Sequence, residues 1–344
     1  MKKVRVGIIG CGSIAKYRHI AEYADHPDVE LAAFCDIVTG RAESFAAQYG
    51  GKAYRDYVEM IEQESLDAVS ICTPNVIHAP AAIAAAHAKC HVLCEKPMAT
   101  SLEEAEKMIR AANENGVLLM IGHNQRLMPP HVKAKEILKE GSLGKVLTFR
   151  TSFSHGGPEG WSADGSDSWF FRKQEAFVGA MGDLGVHKID LLSWLLEEEI
   201  VEISAMLATL QKTGDVDDNA VMVARTESGA IGTITASWTH SPGEDNSTIL
   251  YCEKGILKVG TDPVDQVIVE RTDGSIEKFQ VGKMASNEEG GQVKSGVIDS
   301  FVRAILTNSP ALIPGEDAIK ALRVVMAAIK SSEEKRSVNI HELN

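Results

Sequence analysis

The segment Gly10-Cys11-Gly12-Ser13-Ile14-Ala15 constrains this chain more than any other, because it follows the apolar run Val4–Ile9 directly and opens a helical stretch reaching about Asp25. In a strand, glycine turn and helix of this kind, Gly10 makes the tight turn and Gly12 lets backbone approach a pyrophosphate. Ala15 takes the third small position, where helix packs on strand. Ser13 and Ile14 lie in the first turn, whose free N–H groups attract phosphate. A glycine hexamer alone marks only a tight turn, so its setting decides. Asp36 closes the second apolar run, Leu31–Cys35, at the position where a carboxylate accepts both ribose hydroxyls of a dinucleotide. Residue 37 is Ile, so no basic side chain follows at once to meet a 2′-phosphate, and Arg41 is expected on the solvated face of the next helix. NAD is the expected cofactor, with NADP less favoured.

The rest of the first third repeats the same rhythm. Apolar runs Asp67–Cys72, His91–Cys94 and Val117–Ile121 alternate with helical patterns: Arg41–Tyr49, a helix through Ala88 capped by Asn75, and one to Asn115 opened by the capping box Thr100-Ser101-Leu102-Glu103. Continuous apolar strands separated by helices mean a parallel sheet covered on both faces. Beyond Gly122 the pattern changes. Pro129-Pro130 leads a helix to about Gly141, Lys145–Phe153 reads as a long strand, and a helix runs from about Gly182 to Leu196. From Ile200 to about Phe279 alternating segments such as Ala220–Thr226 and Ala230–Trp238 are joined by Gly/Asp turns, the signature of hairpins. Two helices, near Gly296–Leu306 and Asp317–Ser331, close the chain. The expected architecture is an α/β domain with a doubly wound parallel sheet, residues 1–124, followed by an α+β domain with an open, mostly antiparallel sheet, residues 125–344.

Composition removes several classes of partner. The 344 residues carry 35 basic against 48 acidic side chains, a formal charge of −13, with no lysine or arginine run. Nucleic acid and anionic membranes repel such a chain, so the expected ligand is small. No stretch approaches the roughly 20 apolar residues of a membrane span. Met1-Lys2-Lys3 precedes too short an apolar run for a signal peptide, and a cytoplasmic location is expected. Cys11, Cys35, Cys72, Cys90, Cys94 and Cys252 sit mostly in apolar runs and read as buried thiols. Cys90 and Cys94 lack a second pair to complete a zinc site, so no metal is expected.

Ligands of such a sheet bind at the carboxyl ends of its strands. Thr73-Pro74-Asn75 with His78 follows the third run, and Glu95-Lys96-Pro97 the fourth. Singly, each has a plain reading: a helix cap, a surface histidine, a solvated charge. Further on, Asp183 and His187 stand four residues apart, so on a helix they share one face. The carboxylate can orient the imidazole, or hold one substrate hydroxyl while the imidazole takes a proton from another; the plain reading is a carboxylate at a helix start with a histidine one turn on.

Taken together these segments resemble the glucose–fructose oxidoreductase, inositol dehydrogenase and rhizopine catabolism (Gfo/Idh/MocA) family. The likeness covers the glycine loop, Thr73-Pro74-Asn75 with His78, Glu95-Lys96-Pro97, Gln125-Arg126, Gly141-Ser142-Leu143-Gly144, and Asp183 with His187. Many members carry a further basic residue where Gln125 stands. The resemblance implies a Rossmann domain, an open-faced second sheet that builds homodimers or homotetramers, and convergence of Lys96, Asp183 and His187 on the substrate. It also implies NAD-dependent oxidation of a secondary hydroxyl on a sugar, inositol or related polyol. His187 suits the role of base, and Lys96 that of stabilising charge on the reacting oxygen. Gly10, Gly12, Ser13, Ile14, Ala15, Asp36, Thr73, Pro74, Asn75, His78 and Glu95 are the expected cofactor contacts. Arg126, His155, Trp161 and Arg172, with the catalytic trio, are the expected substrate contacts. The aromatic run Trp169-Phe170-Phe171 suits either a sugar face or a packing cluster under the long loop. Two rivals share the fold: an enzyme that oxidises a sugar only transiently, to eliminate, hydrolyse or epimerise, and a non-catalytic dinucleotide-sensing regulator.

Overall fold

In the computed structural model, which describes residues 3–282, 284 and 294–343, the apolar runs of the first third form a six-stranded parallel sheet. Its strands are β1 (Val4–Ile9), β2 (Val29–Cys35), β3 (Lys52–Tyr54), β4 (Ala68–Ile71), β5 (His91–Cys94) and β6 (Leu119–Ile121), in the spatial order β3-β2-β1-β4-β5-β6. The chain order reverses between β1 and β4, and a crevice opens there at the carboxyl ends. The strands are apolar throughout because one core packs on each face, one around Ile8, Phe34 and Leu93 and the other around Ile9, Val69 and Ile121. β3 was not legible in the sequence: it has three residues, of which Tyr54 alone is buried, too few for any period to show.

Two helix starts differ in detail from their expected form. Ser101, not Thr100, caps the helix Leu102–Asn115, accepting from the Glu104 amide at 3.1 Å, while the Glu104 carboxylate reaches back to the Thr100 amide and hydroxyl. The capping box is therefore present one residue later. Asn75 caps no helix. It opens a short 3₁₀ turn, Asn75–Ile77, and its side-chain amide donates to the Ala176 carbonyl at 2.8 Å.

The second sheet has nine strands: β7 (Val146–Ser154), β8 (Ile200–Ala208), β9 (Asn219–Thr226), β10 (Ile231–Ser237), β11 (Thr248–Cys252), β12 (Gly255–Val259), β13 (Val267–Arg271), β14 (Ile276–Phe279) and β15 (Val338–Asn339). All neighbours run antiparallel except β7 and β10, which are parallel because the chain crosses over through a helix and two further strands between them. Alternation along these strands sends Met222, Ala224, Ile234 and Ala236 inward against the helix Val186–Leu196 and the long helix Gly315–Glu334. The other face leaves Met206, Val221, Val223, Ile231 and Tyr251 exposed.

The last helices return to the first sheet. Val297, Ile298, Phe301, Val302 and Ile313 lie in the same core as β1 and β2, and Ala318, Ile319 and Leu322 in the core beside β4 to β6. Further along the helix Gly315–Glu334, Val324, Val325 and Ala328 belong to the core of the second sheet. Residues between 297 and 322 thus help to fill the cores on both faces of the first sheet. Among the described residues no helix is long and apolar enough to cross a membrane.

Candidate active site

Four loops leave the carboxyl edge of the first sheet side by side. Gly10 turns with φ +88°, and a Cβ there would stand 2.6 Å from the Cys72 carbonyl oxygen, so only glycine fits. Above Gly12 a Cβ would meet nothing within 4 Å, which leaves open space over the glycine loop. Asp36 is buried beside it; one carboxylate oxygen accepts from the Cys11 amide at 2.8 Å and the other from the Val38 amide at 2.7 Å. Each oxygen retains a lone pair for a ribose hydroxyl. The helix after the glycine loop begins as a π-turn, Ala15–His19, which brings the buried His19 onto Ser70 at 3.1 Å and the Glu95 carboxylate at 2.9 Å. Burial would raise the Glu95 pKa, but the hydrogen bond and charge from His19, with Lys96 and Arg18 nearby, bring it down to about 2.

Lys96 projects from the loop after β5. Its ammonium donates to Asp183 twice, to the carbonyl and to Oδ1, both at 2.8 Å. The second carboxylate oxygen of Asp183 accepts from Trp238 Nε1 at 3.0 Å. Asp183 lies in a π-turn, Met181–Gly185, that runs into the helix Val186–Leu196. That entry is held by Asp217, whose carboxylate accepts from the amides of Gly179 and Met181 at 2.8 Å each. A Cβ on Gly179 would lie 1.8 Å from the Asp217 carbonyl oxygen, so this anchor admits glycine alone.

His187 follows one turn later and is 6% exposed. Its ring lies edge-on to His123 at 6.3 Å and tilted against Phe153 at 5.8 Å. Burial, and the charge of Lys96 with that of Arg18 and Lys188, push its pKa well below the ordinary 6.5. The imidazole is therefore neutral at physiological pH, the state a proton acceptor needs. Its Nδ1 has no hydrogen-bond partner among the described residues, and the same holds for Thr73 Oγ1, His155 Nε2 and Trp161 Nε1. Buried polar atoms seldom stay unpaired in a finished structure, so this group fits a polar ligand laid along the crevice. NAD passes the same test, with open space above Gly12 and a carboxylate at Asp36.

Several expected contact residues have other partners in the fold. Among the described residues Asp183 makes no hydrogen bond to His187; its two oxygens accept from Lys96 and Trp238. Arg126 forms a two-point ion pair with Asp190, at 2.8 and 2.6 Å, and braces the helix below the site. Arg172 points away, bonded to Glu175 and the Asp167 carbonyl. His78 spans the carbonyls of Pro97 and Thr73 at 2.8 and 3.1 Å, so it ties two loops together. Arg41 is partly exposed and ion-paired with Asp164. Trp169 stacks on Phe170 at 3.9 Å, and Phe171 meets Trp238 at 5.8 Å, which makes this run a packing cluster. Trp161 and His155 meet edge to face at 6.3 Å at its border with the crevice.

Three participants were not singled out from the sequence. Trp238 ends a strand-like alternation and reads as core. Asp217 is one acid in a turn-rich stretch. His19 is the one partner that helix spacing after the glycine loop could have marked.

The chain belongs to the Gfo/Idh/MocA oxidoreductase family. Residues 4–123 match the family's oxidoreductase domain with the NAD-binding Rossmann fold, and residues 131–258 match its carboxy-terminal domain. Similar proteins include the myo-inositol 2-dehydrogenase of Thermotoga maritima, 30% identical over 99% of each chain. The levoglucosan dehydrogenase of Pseudarthrobacter phenanthrenivorans is 31% identical over 69% of this chain and 68% of its own. Among solved structures, levoglucosan dehydrogenase in complex with NADH and L-sorbose superposes with a TM-score of 0.86 at 26% identity, covering 99% of each chain.

Proposed function

We propose that this oxidoreductase is an NAD-dependent dehydrogenase of a secondary hydroxyl on a sugar, inositol or related polyol. The observation that carries the reading is the meeting of Lys96 with Asp183 beside a buried neutral His187 at the mouth of the dinucleotide crevice. The relatives named for inositol and levoglucosan support the substrate class. When bound, NAD supplies the acceptor for the hydride leaving the substrate carbon. His187 takes the hydroxyl proton at its ring nitrogen. Lys96 offers its ammonium to the oxygen as negative charge develops there. Asp183 and Trp238 hold that ammonium in place, while Trp161 and His155 give the substrate polar atoms at the rim. Gly10, Gly12, Ser13, Ile14, Ala15, Asp36, Thr73 and Pro74 form the proposed cofactor cradle.

The decisive assay is a panel of polyols, inositols and aldoses with NAD, read as net formation of reduced nicotinamide. Stoichiometric NADH from at least one of them is the expected result; turnover of a sugar with no NADH accumulating overturns it in favour of transient oxidation. Asp36 gives a second check. Wild-type enzyme prefers NAD, and Asp36→Ala weakens NADH binding by about 10- to 100-fold, the worth of a lost pair of hydrogen bonds to a charged group. Equal binding of NADP by the wild type removes the role given to Asp36.

The division into a cofactor unit, 1–124, and a substrate unit, 125–344, belongs to the same proposal, with the final helices lodged on the first sheet. So does self-association: Met206, Val221, Val223 and Ile231 give the outer face of β8 to β10 an apolar surface suited to a second copy. The acidic composition suits the cytoplasm.

A further inference from the structure

The loop from His155 to Arg172 leaves the second sheet and reaches the glycine loop of the first domain. Two contacts hold it there. Ser13 Oγ donates to the Trp161 carbonyl at 2.8 Å, and the Arg41 guanidinium pairs with the Asp164 carboxylate. Arg41 is the only basic residue between the end of β2 and Lys52. It stands in the first turn of the helix Thr39–Tyr49. Its backbone amide donates to the Val38 carbonyl at 2.9 Å, and the Val38 amide in turn donates to Asp36 at 2.7 Å, so Arg41 adjoins the loop that carries the ribose carboxylate. Any 2′-phosphate on a ribose held by Asp36 would need this cation, because Ile37 and Val38 offer none.

We propose that Asp164 is a specificity-determining residue for the cofactor: by occupying the Arg41 guanidinium it withholds that cation from a 2′-phosphate and so reinforces the choice of NAD over NADP. The inference rests on the reading that Asp36 holds the ribose. Selectivity then has two parts on different domains. Asp36 repels the phosphate, and Asp164 removes the group that would attract it; an interface commonly discriminates through such a repulsive element as well as an attractive one. Arg41 and Asp164 are both partly exposed, at 27% and 39% of their side chains, so either can be replaced without opening the core.

The test is calorimetric titration of the full chain with NADH and with NADPH. Wild-type protein binds NADH more tightly. Asp164→Asn tightens NADPH by about 3- to 10-fold, the scale of one charge-assisted contact in a partly exposed site, and leaves NADH nearly unchanged. Asp164→Ser does the same. In an Arg41→Met background neither substitution changes NADPH binding. If Asp164→Asn leaves NADPH unchanged, weakens both nucleotides alike, or gives the same gain without Arg41, the pair only ties the loop down and the inference is wrong. If wild-type protein binds NADPH as tightly as NADH, the reading of Asp36 falls first and takes this one with it.

Discussion

Replacing His187 by alanine lowers kcat for alcohol oxidation by about 100- to 10,000-fold, the contribution of a positioned general base, while NADH binding stays close to that of the wild type. The ring touches Phe153 and His123, and its Nδ1 has no hydrogen-bond partner among the described residues, so the loss is chemical. The pH profile adds a sharper readout. Oxidation requires the neutral imidazole, so the rate rises with pH as His187 gives up its proton. An ordinary histidine would place that rise near pH 6.5. Burial and the neighbouring charges of Lys96, Arg18 and Lys188 shift it downward, so the acid limb of kcat/KM lies below pH 6.5 and the profile is already flat through neutrality. A limb centred at or above pH 6.5 would show that another group is the base. Retention of most activity by His187→Ala would return the residue to a packing role.

Lys96→Met produces the other large effect, and it is double. Loss of the positive charge beside the reacting oxygen slows turnover by about 100- to 1,000-fold. It also strands the Asp183 carboxylate, which is 7% exposed and keeps Trp238 as its one side-chain hydrogen-bond donor among the described residues. Removing one member of a buried pair typically costs about 3–5 kcal/mol, so the variant melts well below the wild type. Lys96→Arg separates the two consequences. The charge remains near Asp183, so the melting temperature recovers in large part, but the planar guanidinium cannot place a compact charge at the same point and turnover stays low. Both variants are to be compared by melting temperature and by kcat with saturating NAD. Normal turnover by Lys96→Met would overturn the mechanism whatever its stability.

The fold was largely readable because its strongest signals are periodic. Five of the parallel strands announce themselves as apolar runs, and the glycine loop with Asp36 gives the order in which a dinucleotide meets them. What escaped is what periodicity does not carry. β3 is too short to show a pattern. The parallel pairing of β7 with β10 depends on a crossover, whereas the alternation in each strand is the same for either direction. In the candidate site, Lys96, Asp183 and His187 were singled out by their motifs, but their connections were not. The four-residue spacing of Asp183 and His187 suggests a bonded pair, yet a lysine 87 positions earlier in the chain takes that carboxylate. Trp238 and Asp217 act through contacts between segments far apart in the second half of the chain, Asp164 acts through one that exists only after the two sheets have met, and no local pattern marks any of them.

The return of the final helices to the first sheet sets the order of events during synthesis. Domains generally fold as units from the amino terminus as the chain emerges, but here the strands of the first sheet are complete before the helices that cover part of it have been made. Phe301 and Ile298 are wholly buried against it, and until residues near 297–322 leave the ribosome their places stay open to water. The cofactor crevice and the substrate face therefore mature together, late, and from opposite ends of the chain. A nascent chain halted before residue 297 would present an apolar surface to chaperones, not a finished nucleotide-binding unit.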